Sequence, residues 1–186
     1  MRILLIDNFD SFTYNLVHYL ERNDIHINVV RNNQLSELSW MNFDKVVLSP
    51  GPGLPNEAGD LMPFLSKIWG KVPILGVCLG LQAIAIHEGG NLYNLNEVKH
   101  GITTHLIRNT ESTLFKGLPD TFKIGLYHSW AVTPKDIKNF NIVGTSEEGV
   151  VMAIEHQKLP IYGLQFHPES ILTEHGKEII RNFLAV

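Results

Sequence analysis

The sequence holds one cysteine, Cys78, in 186 residues. A single thiol cannot close an internal disulfide, so the fold must rest on its core, and a reducing cytoplasmic setting is expected. The chain also lacks a strong charge of either sign: 15 Lys and Arg stand against 19 Asp and Glu, for a formal net charge of −4. That balance gives no basic face for nucleic acid or an anionic membrane. Long apolar runs are missing as well. The opening Met1 to Asp7 carries only a short one before an acid, and reads as neither a signal peptide nor a membrane span. Internal repeats, low-complexity segments and long charge runs are absent, as are the H-E-x-x-H and G-x-x-x-x-G-K-[ST] patterns. What remains is 44% apolar and 18% charged, the composition of a soluble globular protein. The length suits one domain, 1–186, with a sizeable core.

Apolar periodicity gives strands at Arg2–Ile6, Ile25–Val30, Lys45–Ser49 and Ile74–Val77. Helices are expected from about Ser11 or Thr13, from Gly59 to Trp69 and from Leu79 to His87, with a short one around Leu35 to Leu38. Strands alternating with helices argue an α/β fold, a mostly parallel open sheet with helices on both faces. After Gly89-Gly90 the runs become short and alternating, at Thr103–Ile107, Phe122–Tyr127 and Asn141–Ser146. They predict an appended antiparallel segment. A late hairpin, Val150–His156 and Ile161–Gln165, and a last helix from about Glu174 to Leu184 close the chain.

Ligands of such sheets bind at the carboxyl ends of the strands, and three stretches fall there. In Gly76-Val77-Cys78-Leu79-Gly80 the cysteine stands between a strand and a helix, with small residues at i−2 and i+2. This is the thiol form of the G-x-S-x-G elbow, and a helix N-terminus favours a thiolate. A buried, inert cysteine is the plainer alternative, but the paired glycines argue for a nucleophile. Ser49-Pro50-Gly51-Pro52-Gly53-Leu54-Pro55 can neither continue a strand nor start an ordinary helix; it is either a stiff connector or a loop aiming N–H groups at an oxyanion. Phe166-His167-Pro168-Glu169-Ser170 offers a base and an orienting acid, with a metal pair or a chance surface pair as alternatives. Gly125 to Trp130 gathers further polar and aromatic groups, equally explicable as satisfied core residues.

Together, G-V-C-L-G-L-Q at 76–82, S-P-G-P-G at 49–53 and F-H-P-E-S at 166–170 resemble the class I glutamine amidotransferases, whose fold is flavodoxin-like. D-N-F-D-S-F-T-Y-N at 7–15 and Y-H-S at 127–129 narrow the resemblance to the small subunits of anthranilate synthase and aminodeoxychorismate synthase. The resemblance implies hydrolysis of L-glutamine and delivery of ammonia to a chorismate-binding large subunit. It implies Cys78 as nucleophile, His167 as general base and acid, and Glu169 as the orienter of the imidazole. The N–H groups of Gly53 and Leu79 would form the oxyanion hole; Gly51, Pro52, Gly53, Gln82, Ser129 and Trp130 would hold glutamine. No cofactor or metal is implied in this chain, whereas the partner is expected to need Mg2+. Trp130 stands where relatives commonly carry a smaller aliphatic residue, so its ring would narrow the pocket or face the partner. A stand-alone γ-glutamyl or peptide hydrolase and a non-catalytic regulatory subunit are the other readings; the 7–15 block speaks against the first and the intact Cys78, His167 and Glu169 against the second.

Overall fold

A computed structural model describes residues 1–21 and 24–186. Four helices and one nine-stranded sheet carry the described fold. The elements are β1 (Arg2–Asp7), α1 (Thr13–Leu20), β2 (His26–Arg31), β3 (Lys45–Leu48), α2 (Leu61–Ile68), β4 (Ile74–Val77), α3 (Leu79–His87), β5 (Leu92–Arg108), β6 (Thr121–Val132), β7 (Phe140–Ser146), β8 (Val151–His156), β9 (Ile161–Leu164) and α4 (Gly176–Leu184). The strand order is β2-β1-β3-β4-β9-β8-β7-β5-β6. Pairings from β2 through β9 are parallel, and those from β9 to β6 are antiparallel.

The period of two along each parallel strand divides the core. Ile3, Leu5, Val47, Leu75 and Val77 join Leu16 and Leu20 of α1 and Ile179, Ile180 and Phe183 of α4 in one cluster. Leu4, Ile6, Val46, Leu48 and Ile74 join Leu61, Phe64 and Leu65 of α2 and Ala83 and Ile84 of α3 in the other. Each strand residue thus meets helices on alternate faces, which makes the sheet doubly wound. Helix α3 is buried on every side from Leu79 to Ala85, so it sits as an inner layer rather than as an amphipathic cover.

Two expectations need correction. The helix expected around Leu35 to Leu38 is not there: single 3-10 turns lie at Asn32–Gln34 and Trp40–Asn42, and a turn occupies the segment between. Asn32 shows why, since its side chain donates to Asn8 Oδ1 and its carbonyl accepts Asp60 N–H, ties that hold the chain in a loop. Strand β5 is one 17-residue strand rather than a short run. Register shifts between Asn94 and Lys99 and between His100 and Ile102 interrupt its pairing with β6, and those breaks hid its continuity in the sequence.

Candidate active site

Strand β4 delivers Cys78 at a backbone φ of 52° and ψ of −102°, immediately before helix α3. A non-glycine residue at such a φ carries strain of about 1–3 kcal/mol, so surrounding structure must enforce it. The glycines at i−2 and i+2 permit it by close approach. A side chain on Gly76 would collide with the Gly80 backbone, and a Cβ on Gly80 would lie 2.6 Å from the Leu48 carbonyl oxygen. Cys78 N–H donates to Leu164 O at 2.7 Å and Cys78 O accepts Gln82 N–H at 3.1 Å, fixing the elbow from both sides. The Leu79 N–H, first in α3, has no backbone acceptor among the described residues.

The loop after β3 is pressed against this elbow. A Cβ on Gly51 would stand 2.6 Å from the Asn8 carbonyl oxygen and 2.9 Å from a Leu79 methyl. Asn8 holds the loop by donating its N–H to Ser49 Oγ (2.9 Å) and its Nδ2 to Ser49 O (2.8 Å). Asp7 in turn organises the β1–α1 turn, accepting from Phe9 N–H (3.0 Å) and from the Thr13 hydroxyl (2.8 Å).

His167 leaves the end of β9 beside Cys78. Its backbone N–H donates to Gly125 O at 3.2 Å, and its carbonyl accepts the Thr173 hydroxyl at 2.6 Å. Its Nδ1 lies 2.7 Å from Glu169 Oε1, both side chains being buried. Phe12 and Tyr127 flank the imidazole with ring centroids 5.8 and 4.9 Å away, and the Tyr127 hydroxyl lies 3.1 Å from Ser170 Oγ. Burial would push the His167 pKa down, but the Cys78 sulfur and the Glu169 carboxylate outweigh it and raise it to about 10. The ring is therefore an imidazolium at neutral pH, with Nδ1–H donated to Glu169. No hydrogen bond of regular geometry joins Nε2 to the sulfur. Nε2 is buried without a partner among the described residues, although the sulfur is close enough to lead the influences that raise the imidazole's pKa.

A cleft of about 460 Å³ collects these groups: Phe9 to Phe12, Pro50, Gly51, Pro52, Cys78, His100, Tyr127 and His167 line it. Cys78, His167, Gly51 and Pro52 are thus together as expected, with Glu169 behind the imidazole. Gly53, Gln82, Ser129 and Trp130 are not on this wall. Gln82 is buried and turned inward, its Nε2 donating to Trp130 O (3.0 Å) and to Gln165 Oε1 (3.2 Å). Trp130 O also takes His128 Nδ1–H at 2.8 Å, and burial pushes the His128 pKa down, toward the neutral ring. The Trp130 ring is half-buried and does not narrow the cleft.

Three neighbours of the site escaped the sequence reading. Asp10 and His100 line the cleft, and burial is the main influence raising the Asp10 pKa. Gln165 donates to Cys78 Sγ at 3.4 Å. Its signal was available: it stands two residues before His167, where a strand exit repeats the same face.

Residues 4–186 match the family Glutamine amidotransferase class-I. The chain belongs to the class I glutamine amidotransferases. It is 43% identical over 185 residues to the aminodeoxychorismate/anthranilate synthase component 2 of Bacillus subtilis, covering 98% of this chain and 95% of that one. It is 44% identical over 193 residues to the aminodeoxychorismate synthase of Streptomyces griseus, covering 98% of this chain and 26% of that longer protein. A solved glutamine amidotransferase from Thermotoga maritima shares the fold, with a TM-score of 0.78 at 19% identity, over 99% of this chain and 96% of that one. This chain is accordingly a glutamine amidotransferase. No helix among its described residues is long and apolar enough to cross a membrane.

Proposed function

We propose that the chain is a single 1–186 domain that hydrolyses the side-chain amide of L-glutamine and delivers ammonia to a chorismate-aminating partner in the cytoplasm. The observation that carries this reading is the buried His167 imidazole, held 2.7 Å from Glu169 and beside a cysteine at a strained strand-to-helix turn. In the first step the Cys78 sulfur, as thiolate, attacks the amide carbon. The oxyanion is received by the Leu79 N–H and, when the 51–55 loop closes, by the Gly53 N–H. His167 gives its Nε2 proton to the leaving nitrogen, the C–N bond breaks and ammonia departs, leaving a γ-glutamyl thioester. Neutral His167 then takes a proton from water, whose oxygen attacks the thioester carbon. The C–S bond breaks and glutamate leaves. Glu169 holds the ring and stabilises its charge in both steps.

The partner belongs to this reading for two reasons. Free ammonia at neutral pH is mostly protonated and no longer nucleophilic, so transfer needs an enclosed route. The relatives' names, which refer to anthranilate and aminodeoxychorismate synthesis, support chorismate chemistry on the receiving side, and a chorismate-binding component I would supply it. Phe9, exposed and lining the cleft, would lie under that partner, with Tyr14 exposed nearby at the start of α1.

The test is product formation by this chain assembled with a chorismate-binding large subunit. Cys78→Ser is expected to abolish glutamine-dependent synthesis while leaving ammonia-dependent synthesis intact, and the chain alone is expected to turn glutamine over slowly. Equal glutamine turnover with and without the partner, and no complex on a sizing column, would reject the partner and favour a stand-alone hydrolase.

A further inference from the structure

Strands β4 and β9 pair with Val77 opposite Leu164, so the chain leaves both strands at the same level. Cys78 and Gln165 therefore emerge side by side. Gln165 is wholly buried, and a buried primary amide is tolerated only when its polar atoms are bonded. Its Nε2 lies 3.4 Å from Cys78 Sγ and its Oε1 accepts Gln82 Nε2 at 3.2 Å.

The orientation of this amide follows from chemistry. The Trp130 carbonyl can only accept, so Gln82 must turn its NH2 toward it, at 3.0 Å. The second hydrogen of that NH2 points to Gln165, which must answer with oxygen. Gln165 is left with its NH2 on the sulfur. Reversing it would set two NH2 groups face to face and a carbonyl oxygen against the sulfur lone pairs.

We propose that Gln165 is a working part of the nucleophile: its N–H donates to the Cys78 thiolate, and Gln82 acts through it as a positioning residue that keeps the amide turned this way. A donor aimed at an anion stabilises that anion more than its protonated form, so the bond favours the reactive sulfur and fixes its direction in the cleft. The relay also connects the Trp130 backbone carbonyl, through Gln82 and Gln165, to the reacting atom. This inference rests on Cys78 being the nucleophile.

The test is the pH profile of Cys78 alkylation by iodoacetamide on the full chain, which needs neither glutamine nor a partner. The titratable groups that share the cleft with the sulfur are His167 with Glu169 behind it, Asp10 from the β1–α1 turn, and His100 and Tyr127 from β5 and β6. Variants are therefore compared with the parent. Gln165→Met, near in volume and without a donor, is expected to move the alkylation midpoint up by about 1 pH unit, a roughly tenfold fall in rate below it. Gln82→Met, which does not touch the sulfur, is expected to move it the same way by less. An unchanged midpoint in a folded Gln165→Met chain would overturn the assignment. If that variant does not fold, an unchanged midpoint in Gln82→Met overturns it instead. Retained glutamine hydrolysis in Cys78→Ser would sink the nucleophile itself, an outcome separate from either.

Discussion

The two halves of the sheet do different work. The parallel half, β2-β1-β3-β4-β9, has fully buried strands in β3, β4 and β9 and turns so close-packed that Gly76, Gly80 and Gly51 leave no room for a Cβ. The antiparallel half, β8-β7-β5-β6, includes the long, mostly exposed β5 and open turns such as that at Gly149, where a Cβ would meet nothing within 4 Å. The reacting groups come from the first half: Cys78 ends β4, and His167 and Glu169 follow β9. The second half backs them, through the Gly125 carbonyl on His167 and the Tyr127 ring beside it. Strand β9 is the seam, parallel to β4 and antiparallel to β8. Strain is thus kept where packing is densest, because only a rigid surround can hold a cysteine at positive φ.

Substitutions on either side of the seam should break or sharpen this contrast. The largest effect is expected at the seam itself: His167→Asn should lower glutamine turnover by about 10³-fold, read from steady-state rates. Glu169→Gln should cost less, about 10²-fold, since that carboxylate orients and stabilises the ring without touching the substrate. Gly76→Ala should destabilise the fold by about 3 kcal/mol in a urea titration, because the added methyl meets backbone. Gly149→Ala, at φ 79° in the open turn between β7 and β8, should cost only about 1 kcal/mol. Equal losses at the two glycines would erase the difference drawn between the halves. The smallest effect belongs to Lys99→Ala: its 3.2 Å pair with the exposed Glu148 should contribute no more than about 0.5 kcal/mol.

The pH dependence has a definite sign. The folded pKa of His167 lies above its ordinary 6.5, at about 10, so the stability from its charged form is complete below pH 6.5 and is lost as pH rises toward 10. His128 acts oppositely: burial lowers its pKa, so its contribution is present above pH 6.5 and is lost as pH falls through its folded value. Replacing Glu169 by Gln should weaken the alkaline dependence and leave the acidic one, measured as denaturation midpoints from pH 5 to 10.

Much of this was legible in the sequence because the parallel half announces itself locally. Buried runs, glycines flanking Cys78 and the proline-rich loop each state their constraint within a few residues. Of strand β5 only Thr103–Ile107 was legible; the stretch from Leu92 was not, because its exposed residues alternate weakly and its bulges interrupt the period of two. The helix expected near Leu35 to Leu38 failed because Asn32 is tied to Asn8 and Asp60, contacts distant in the chain. Gln165 carried one local signal, its place two residues before His167, but its contact with Cys78 comes from the β4–β9 register, which no single stretch contains.

The central claim is that Cys78 forms a covalent bond to the glutamyl carbon while His167 moves the proton. Rapid acid quenching of the chain during glutamine turnover, followed by peptide mass analysis, tests it most directly. A γ-glutamyl adduct is expected on the peptide containing Cys78, accumulating with glutamine and absent in Cys78→Ser. Turnover at the parental rate by Cys78→Ser, or an adduct on any other residue, would contradict the account.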